Sequence, residues 1–247
     1  MARKKGKIIC MTSMKGGSGK TILTILLAGI YNLLDKKVLI IDMDLYSGAI
    51  ALALNIDPKK TIYHFTDDLA NNRYENFQDY IVKYEENIDV LSCPKDPRQA
   101  MKIDSKIIEL ILNNALYRYD VILVDTTHVL DRINLTVMDN SSKLLYVLTN
   151  DLFHIKSASS LISILKDIEK DNVKLLLNQA VLPDRQYFSN FDIKNILKHN
   201  IDYTIGRLLH IRNIETYLME GKILSILKNN RETEKLKTVA LDLIKEE

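Results

Sequence analysis

The chain has 247 residues, of which 47% are hydrophobic, and it carries 34 basic and 32 acidic residues for a net charge of +2. This length fits one large α/β domain or two small ones, with enough apolar residues for a sizeable core. The near balance of charge does not require a nucleic-acid partner, and no apolar run approaches the ~20 residues of a membrane-spanning helix.

Short apolar runs alternate along the chain with longer segments of helical periodicity. The apolar runs, which predict strands buried on both faces, are residues 8–11, 38–41, 88–91, 121–124, 144–148 and 173–177. The periodic segments, which predict helices, are residues 21–34, 105–116, 155–168 and 213–220. This alternation predicts an α/β fold, with a doubly wound, mainly parallel sheet covered by helices on both faces.

The rest of the chain fits the same architecture. No linker rich in Pro, Gly or Ser divides it, so residues 1–247 are expected to form a single domain. We expect helices at the rim of the sheet in residues 58–84, and a core-packed helix in residues 234–247. Its four acidic residues and three lysines disfavour a membrane-binding helix, whose polar face is strongly basic. Cys10 and Cys93 form neither a zinc motif nor a disulfide framework, so we expect two buried thiols in a cytoplasmic protein.

One glycine-rich loop carries the clearest chemistry. Residues 15–21 read Lys-Gly-Gly-Ser-Gly-Lys-Thr and lie between the first predicted strand and the first predicted helix, which is the context of a phosphate-binding loop. Gly16, Gly17 and Gly19 allow successive backbone N–H groups to converge on one anion, next to the positive end of a helix. In such a loop Lys20 reaches the β- and γ-phosphates, and the Thr21 hydroxyl binds Mg²⁺.

The same loop resembles the KGGxGKT motif of the MinD/ParA family of P-loop ATPases, which have a deviant Walker A sequence. Met14 occupies the position of the first glycine in the general P-loop pattern, and this family tolerates residues other than glycine there. In the family the first lysine, matched by Lys15, reaches across a homodimer to the nucleotide of the partner. The resemblance therefore implies ATP and Mg²⁺ as ligands, slow ATP hydrolysis and an ATP-dependent homodimer.

Further motifs extend the resemblance over nearly the whole chain. Residues 39–44 resemble the family's IDxD motif, and residues 121–125, in the fourth predicted strand, resemble Walker B. Asn178, after the sixth predicted strand, stands where the family places an adenine-contacting Asn. The chain departs from the family at Thr127, where Pro is usual, and at residues 208–211, where the family's Pro-x-Asp is missing.

The nucleotide site expected from these motifs has three groups of residues. Asp44 lies two residues after Asp42 and so faces the same way, toward the γ-phosphate, where it would orient or deprotonate the attacking water. Asp42 and Asp125 would support Mg²⁺ through water, together with Thr21. The expected catalytic residues are Asp44, Lys15 and Lys20, and the expected nucleotide-binding residues are Lys15, Gly16, Gly17, Ser18, Gly19, Lys20, Thr21 and Asn178.

Two stretches are most similar to one branch of the family, the CpaE/TadZ localisation ATPases of Tad-type pili. Residues 42–52 resemble the beginning of that branch's DxDLxxGxxAxxL motif, and residues 125–131 also resemble the branch. The branch implies a pilus-assembly or polar-localisation protein as partner, and recruitment to the cell pole or the inner membrane surface. The alternatives are a DNA-binding partition ATPase of the ParA type, a MinD-type ATPase in peripheral contact with the membrane, and a nucleotide-binding scaffold with little turnover.

Overall fold

The structure, a computed structural model, describes residues 5–179, 188–206, 214–228 and 231–245. The strands of these segments are β1 Lys7–Thr12, β2 Val38–Asp42, β3 Val82–Lys83, β4 Ile88–Leu91, β5 Val121–Asp125, β6 Lys143–Thr149, β7 Val173–Gln179 and β8 Tyr203–Gly206. They form one sheet in the order β3-β4-β2-β5-β1-β6-β7-β8. All neighbours are parallel except β3, which runs antiparallel to β4.

Helices cover both faces of this sheet. The α-helices of the described segments are α1 Lys20–Leu33, α2 Ile50–Ala53, α3 Ile62–Ala70, α4 Ser105–Leu116, α5 Arg132–Asp139, α6 Leu152–Asp167, α7 Asn190–Leu197, α8 Ile214–Met219 and α9 Arg231–Leu243. The same described segments contain three short 3₁₀ helices, Phe77–Tyr80, Pro97–Lys102 and Ile223–Leu227. None of the helices in these segments combines the length and hydropathy needed to cross a bilayer.

Successive side chains of each strand enter two separate cores. In β1, Ile8 and Cys10 belong to the core under α3 to α7, whereas Ile9 and Met11 belong to the core under α1, α2 and α9. All four are buried, because both faces of a parallel sheet are covered. The predicted α/β fold with helices on both faces is therefore confirmed. Both cysteines are buried and free, as expected.

Several predicted elements are corrected by the structure. The strand that contains residues 121–125 is the fifth, and the one that ends at residue 179 is the seventh, because the two-residue strand β3 precedes them. Residues 58–84 were expected to form only helices, but they end in this strand. The C-terminal helix begins at residue 231, three residues before the expected start, and buries Leu236, Val239, Ala240 and Leu243 as predicted.

The strand order places a switch point beside β1. From β1 the chain first builds the half of the sheet that contains β5, β2 and β4, and then crosses to β6, β7 and β8 on the other side. Ligands of open α/β sheets bind at the carboxyl ends of the strands near such a point. The glycine-rich loop leaves β1 there, with the ends of β2, β5, β6 and β7 around it.

Candidate nucleotide site

The glycine-rich loop forms an open cradle between β1 and α1. Gly17 and Gly19 have φ angles of +80° and +87°, a left-handed conformation that side chains rarely adopt. A Cβ placed on Gly16 or Gly17 would meet no atom within 4 Å, so space remains above the loop. Among the described residues no side chain caps the first turn of α1, and this turn contains no acidic residue. Its N–H groups therefore remain available to an anion.

Lys20 lies inside this cradle. Its Nζ donates to Ser13 Oγ at 3.0 Å, and Ser18 Oγ donates to the same oxygen at 3.1 Å. Ser13 Oγ in turn donates to the Lys15 carbonyl at 2.7 Å, so this one hydroxyl links the start of the loop to Ser18 and Lys20 at its far end. Burial lowers the pKa of Lys20, and the carboxylates of Asp125 and Asp44 oppose this shift. The ammonium is thus held among groups that a bound phosphate can replace.

Two carboxylates meet beside Lys20 at the ends of adjacent strands. Asp42 and Asp125 are register partners on β2 and β5, and both are buried. Asp125 accepts a hydrogen bond from Thr21 Oγ1 at 2.7 Å, so the threonine hydroxyl lies directly beside this carboxylate. Burial raises the pKa of both carboxyl groups, and their mutual repulsion raises that of Asp42 further.

This donor set fits a hard divalent cation. Hydroxyl and carboxylate oxygens are ligands that Mg²⁺ accepts, and its positive charge would offset the repulsion of the two carboxylates. Within the described segments no group of three or more His, Cys, Asp or Glu side chains is arranged to hold a metal by itself. Such sparse ligation is typical of Mg²⁺ that is bound jointly by protein and substrate phosphates.

Asp42 also organises the turn that carries Asp44. Its two oxygens accept from the backbone N–H groups of Asp44 at 3.2 Å and Ile50 at 3.1 Å. The half-buried Asp44 accepts from the Ser47 hydroxyl and lies close enough to Lys20 to affect its pKa. Gly48 packs directly against the Asp42 carboxylate. The predicted water-orienting residue is therefore held in place by the predicted metal-supporting residue, a link that the sequence did not indicate.

Asn178 contacts the loop itself. The buried side chain lies at the end of β7 and donates from Nδ2 to the Ser18 carbonyl at 2.9 Å. The structure shows a contact that supports the loop, and the adenine contact implied by the family resemblance stays a prediction. The residues around positions 208–211, where the family's Pro-x-Asp is absent, lie outside the described residues.

The other lip of the loop packs on the first turn of α6, which the sequence did not link to the site. Lys15 Nζ lies 4.2 Å from the centroid of the Phe153 ring. His154, which follows, is buried, and its pKa is lowered by burial and by the charges of Lys15 and Lys20. From β6, the Tyr146 hydroxyl accepts from the Met14 N–H at 3.1 Å. No pattern in the sequence could have located these residues, because their proximity depends on tertiary packing.

Fold and loop together define a P-loop nucleotide-binding protein with the MinD/ParA fold. A family model described as an AAA domain, AAA_31, matches residues 6–179. Since this match covers more than half of the chain, the chain belongs to that family.

Three known proteins illustrate the relationship. An uncharacterized ATP-binding protein of Methanocaldococcus jannaschii is 30% identical over 151 residues, which are 61% of this chain and 56% of that protein. The ParA family ATPase of Chlorobium tepidum superposes with a TM-score of 0.82 at 19% identity, over 98% of this chain and 99% of that one. The septum site-determining protein MinD of Pyrococcus horikoshii, whose structure contains Mg-ADP, superposes with a TM-score of 0.80 at 20% identity, over 96% of each chain.

Proposed function

We propose that this protein is an ATP-driven dimerisation switch that binds and slowly hydrolyses ATP with Mg²⁺ and acts in subcellular positioning. One observation carries the proposal: two lysines on opposite lips of one open glycine loop have different surroundings. Lys20 points inward, toward Ser13 and the carboxylates, whereas Lys15 points outward over Phe153. One lysine thus serves the subunit's own phosphates and the other remains for a facing copy.

The chain's own residues supply the parts of a phosphoryl-transfer site. The N–H groups of the loop and of the first turn of α1 would bind the phosphates, and Lys20 would move from Ser13 Oγ to their oxygens. Thr21 and Asp125 would hold Mg²⁺, which when bound neutralises charge on the transferring phosphoryl group. Asp44 would orient the attacking water, and the hydrogen bonds from Asp42 to the turn would keep it in place.

Dimerisation would follow from the geometry of Lys15. Two copies related by a two-fold axis, with their loops face to face, exchange this lysine symmetrically. An ammonium bound to a phosphate is a charge-assisted contact, worth ~1.5–3 kcal/mol, and a dimer contains two. Association therefore depends on the presence of a triphosphate, and hydrolysis releases the partners.

Lys15→Ala tests this proposal. We expect the variant to bind ATP in isothermal titration but to remain monomeric in sedimentation velocity with a non-hydrolysable ATP analogue and Mg²⁺. Lys37→Ala is the matched control. Lys37 Nζ also lies over an aromatic ring, 4.8 Å from the centroid of Tyr119, but Lys37 directly precedes β2 and so lies at the amino ends of the strands, away from the glycine loop. If Lys15→Ala dimerises like the parent, the lysine does not act across the interface.

The cellular role proposed first is that of a CpaE/TadZ-like localisation ATPase, with a pilus-assembly or polar-localisation protein as partner. The support is the stretch at residues 42–52, which resembles the beginning of the branch's DxDLxxGxxAxxL motif, together with the near-neutral net charge. Such a protein would work in the cytoplasm, recruited to a pole or to the inner membrane surface.

A ParA-type partition role is the second candidate, since the chain shares its fold with the ParA family ATPase of Chlorobium tepidum. A mobility-shift titration with random duplex DNA separates the two. The pilus role predicts weak binding with or without ATP. ATP-dependent, salt-sensitive binding below micromolar concentration would instead favour partition, because phosphate contacts make affinity fall steeply with salt.

A further inference from the structure

The side chains of Phe153 and Lys15 are in contact, and the backbone of each residue is fixed by separate hydrogen bonds. The Lys15 carbonyl accepts from Ser13 Oγ, so this lip of the loop is tied to the strand end. The backbone N–H groups of Phe153 and His154 both donate to Asp151, which caps α6. Only the side chains of Lys15 and Phe153 are left to move, and they meet with 4.2 Å between Nζ and the ring centroid.

Phe153, a large apolar residue, is 66% exposed at the edge where nucleotide would bind. An exposed aromatic ring contributes little to the core, and its neighbour Leu152 is exposed as well, at 57%. The face of the ring is electron-rich and attracts an ammonium group. The exposed Phe153 ring is therefore placed to attract the Lys15 ammonium, which it contacts.

We propose that Phe153 is a positioning residue that docks Lys15 in the free subunit and thereby opposes dimerisation until a triphosphate competes for the lysine. This inference rests on the proposed exchange of Lys15 between subunits, and it adds the resting state from which the exchange starts. The ring binds the ammonium more weakly than a phosphate does, so the lysine transfers when the nucleotide of a second copy arrives.

Whether the Lys15–Phe153 contact strengthens or weakens the dimer depends on whether the free subunit or the dimer contains it. A contact present in the free subunit and given up in the dimer weakens association, since a ligand shifts an equilibrium only by its differential affinity for the two states. An exposed ammonium–ring pair, lost once in each subunit, corresponds to a change of roughly 5- to 30-fold in the dimer dissociation constant.

Phe153→Leu, which keeps an apolar side chain and removes the ring, tests the proposal. With the non-hydrolysable analogue and Mg²⁺, we expect sedimentation to show a dimer tighter by roughly 5- to 30-fold. Phe153→Tyr retains the ring and should restore the parent value. Phe191→Leu is the matched control, because Phe191 on α7 is 70% exposed and the same substitution there should leave the dimer unchanged.

A second measurement detects the resting contact without any dimer. In NMR spectra of the nucleotide-free protein with labelled lysine, the ring should shift the Lys15 ε-methylene protons upfield, and Phe153→Leu should abolish this shift. The proposal is overturned if this shift is absent from the parent, or if Phe153→Leu leaves the dimer unchanged or weaker. It is also overturned if Phe191→Leu tightens the dimer equally. Parent-like dimerisation of Lys15→Ala would instead refute the exchange itself, while the NMR shift still reports on the contact.

Discussion

Gly48→Ala should separate hydrolysis from nucleotide binding. A Cβ at this position would lie 2.5 Å from both Asp42 Oδ2 and Cys93 Sγ, and 2.6 Å from Asp42 Oδ1. Ordinary contacts of a Cβ begin near 3.4 Å, so about 1 Å of overlap must be relieved. The Asp42 side chain cannot move freely, because it is fully buried and holds the N–H groups of Asp44 and Ile50.

The magnitude follows from these contacts. Overpacking a buried site costs about 1–3 kcal/mol, and each weakened backbone hydrogen bond adds about 1 kcal/mol. With two such bonds, we expect the free energy of unfolding to fall by about 3–5 kcal/mol. A displacement of Asp44 by ~1 Å would reduce turnover by about 100-fold, as is general for misplaced catalytic groups. ATP affinity should change little, because residues 15–21 are not displaced.

Urea unfolding followed by circular dichroism, isothermal titration with ATP and a phosphate-release assay measure these three quantities. Gly16→Ala is the matched control for stability, since a Cβ there meets no atom within 4 Å. A Gly48→Ala variant of parent stability and parent turnover would show that the Asp42 carboxylate does not fix the turn.

Three further substitutions test other contacts. Lys20→Ala should weaken ATP binding in isothermal titration by about 10- to 150-fold, because the phosphates lose a charged donor. Undiminished affinity would refute the phosphate-loop assignment. Asn178→Ala leaves the buried Ser18 carbonyl without its donor, so urea unfolding should show a loss of about 1–3 kcal/mol, and a neutral result would contradict the supporting role. The Tyr80 hydroxyl and two nearby cations lower the pKa of Asp68 to about 2. The ionised carboxylate therefore stabilises the fold at pH values above its unfolded pKa near 4, and this stabilisation is lost as the pH falls through 2. Asp68→Asn should therefore cost about 1 kcal/mol at pH 7, after allowance for solvent screening, and progressively less in urea titrations toward pH 3, whereas a constant difference would exclude this linkage.

The elements that the sequence predicted well are those with strong local signals. The apolar runs that became β1, β2, β4, β5, β6 and β7 are buried on both faces, so their composition alone distinguishes them. Strand β3 has two residues, and β8 lies at the sheet edge and contains a tyrosine, a threonine and a glycine, so neither forms an apolar run. Helix α7 was not among the predicted helices, although the sequence contained a signal for its start, since Ser189 and Asp192 form a capping box.

In the candidate site, too, the residues with a local sequence signal were predicted and those without one were not. The residues of the glycine loop are contiguous, so their spacing identified them. Asp42 and Asp125 were assigned from the resemblance of residues 39–44 and 121–125 to family motifs, and parallel strands that end at one edge bring them together. The neighbours that set their behaviour, such as Ser13 under Lys20 and Phe153 beside Lys15, belong to no motif. Their positions result from how β1 and α6 pack, which depends on the whole core and not on local sequence.

The central claim, that bound nucleotide controls association, is tested most directly by sedimentation velocity on the parent and on Asp44→Ala, repeated over time with ATP and Mg²⁺. We expect the parent to form a dimer that returns to monomer as ATP is consumed, whereas Asp44→Ala stays dimeric because hydrolysis is lost. A parent that sediments identically with ATP and ADP, or an Asp44→Ala variant that returns to monomer as fast as the parent, would contradict it.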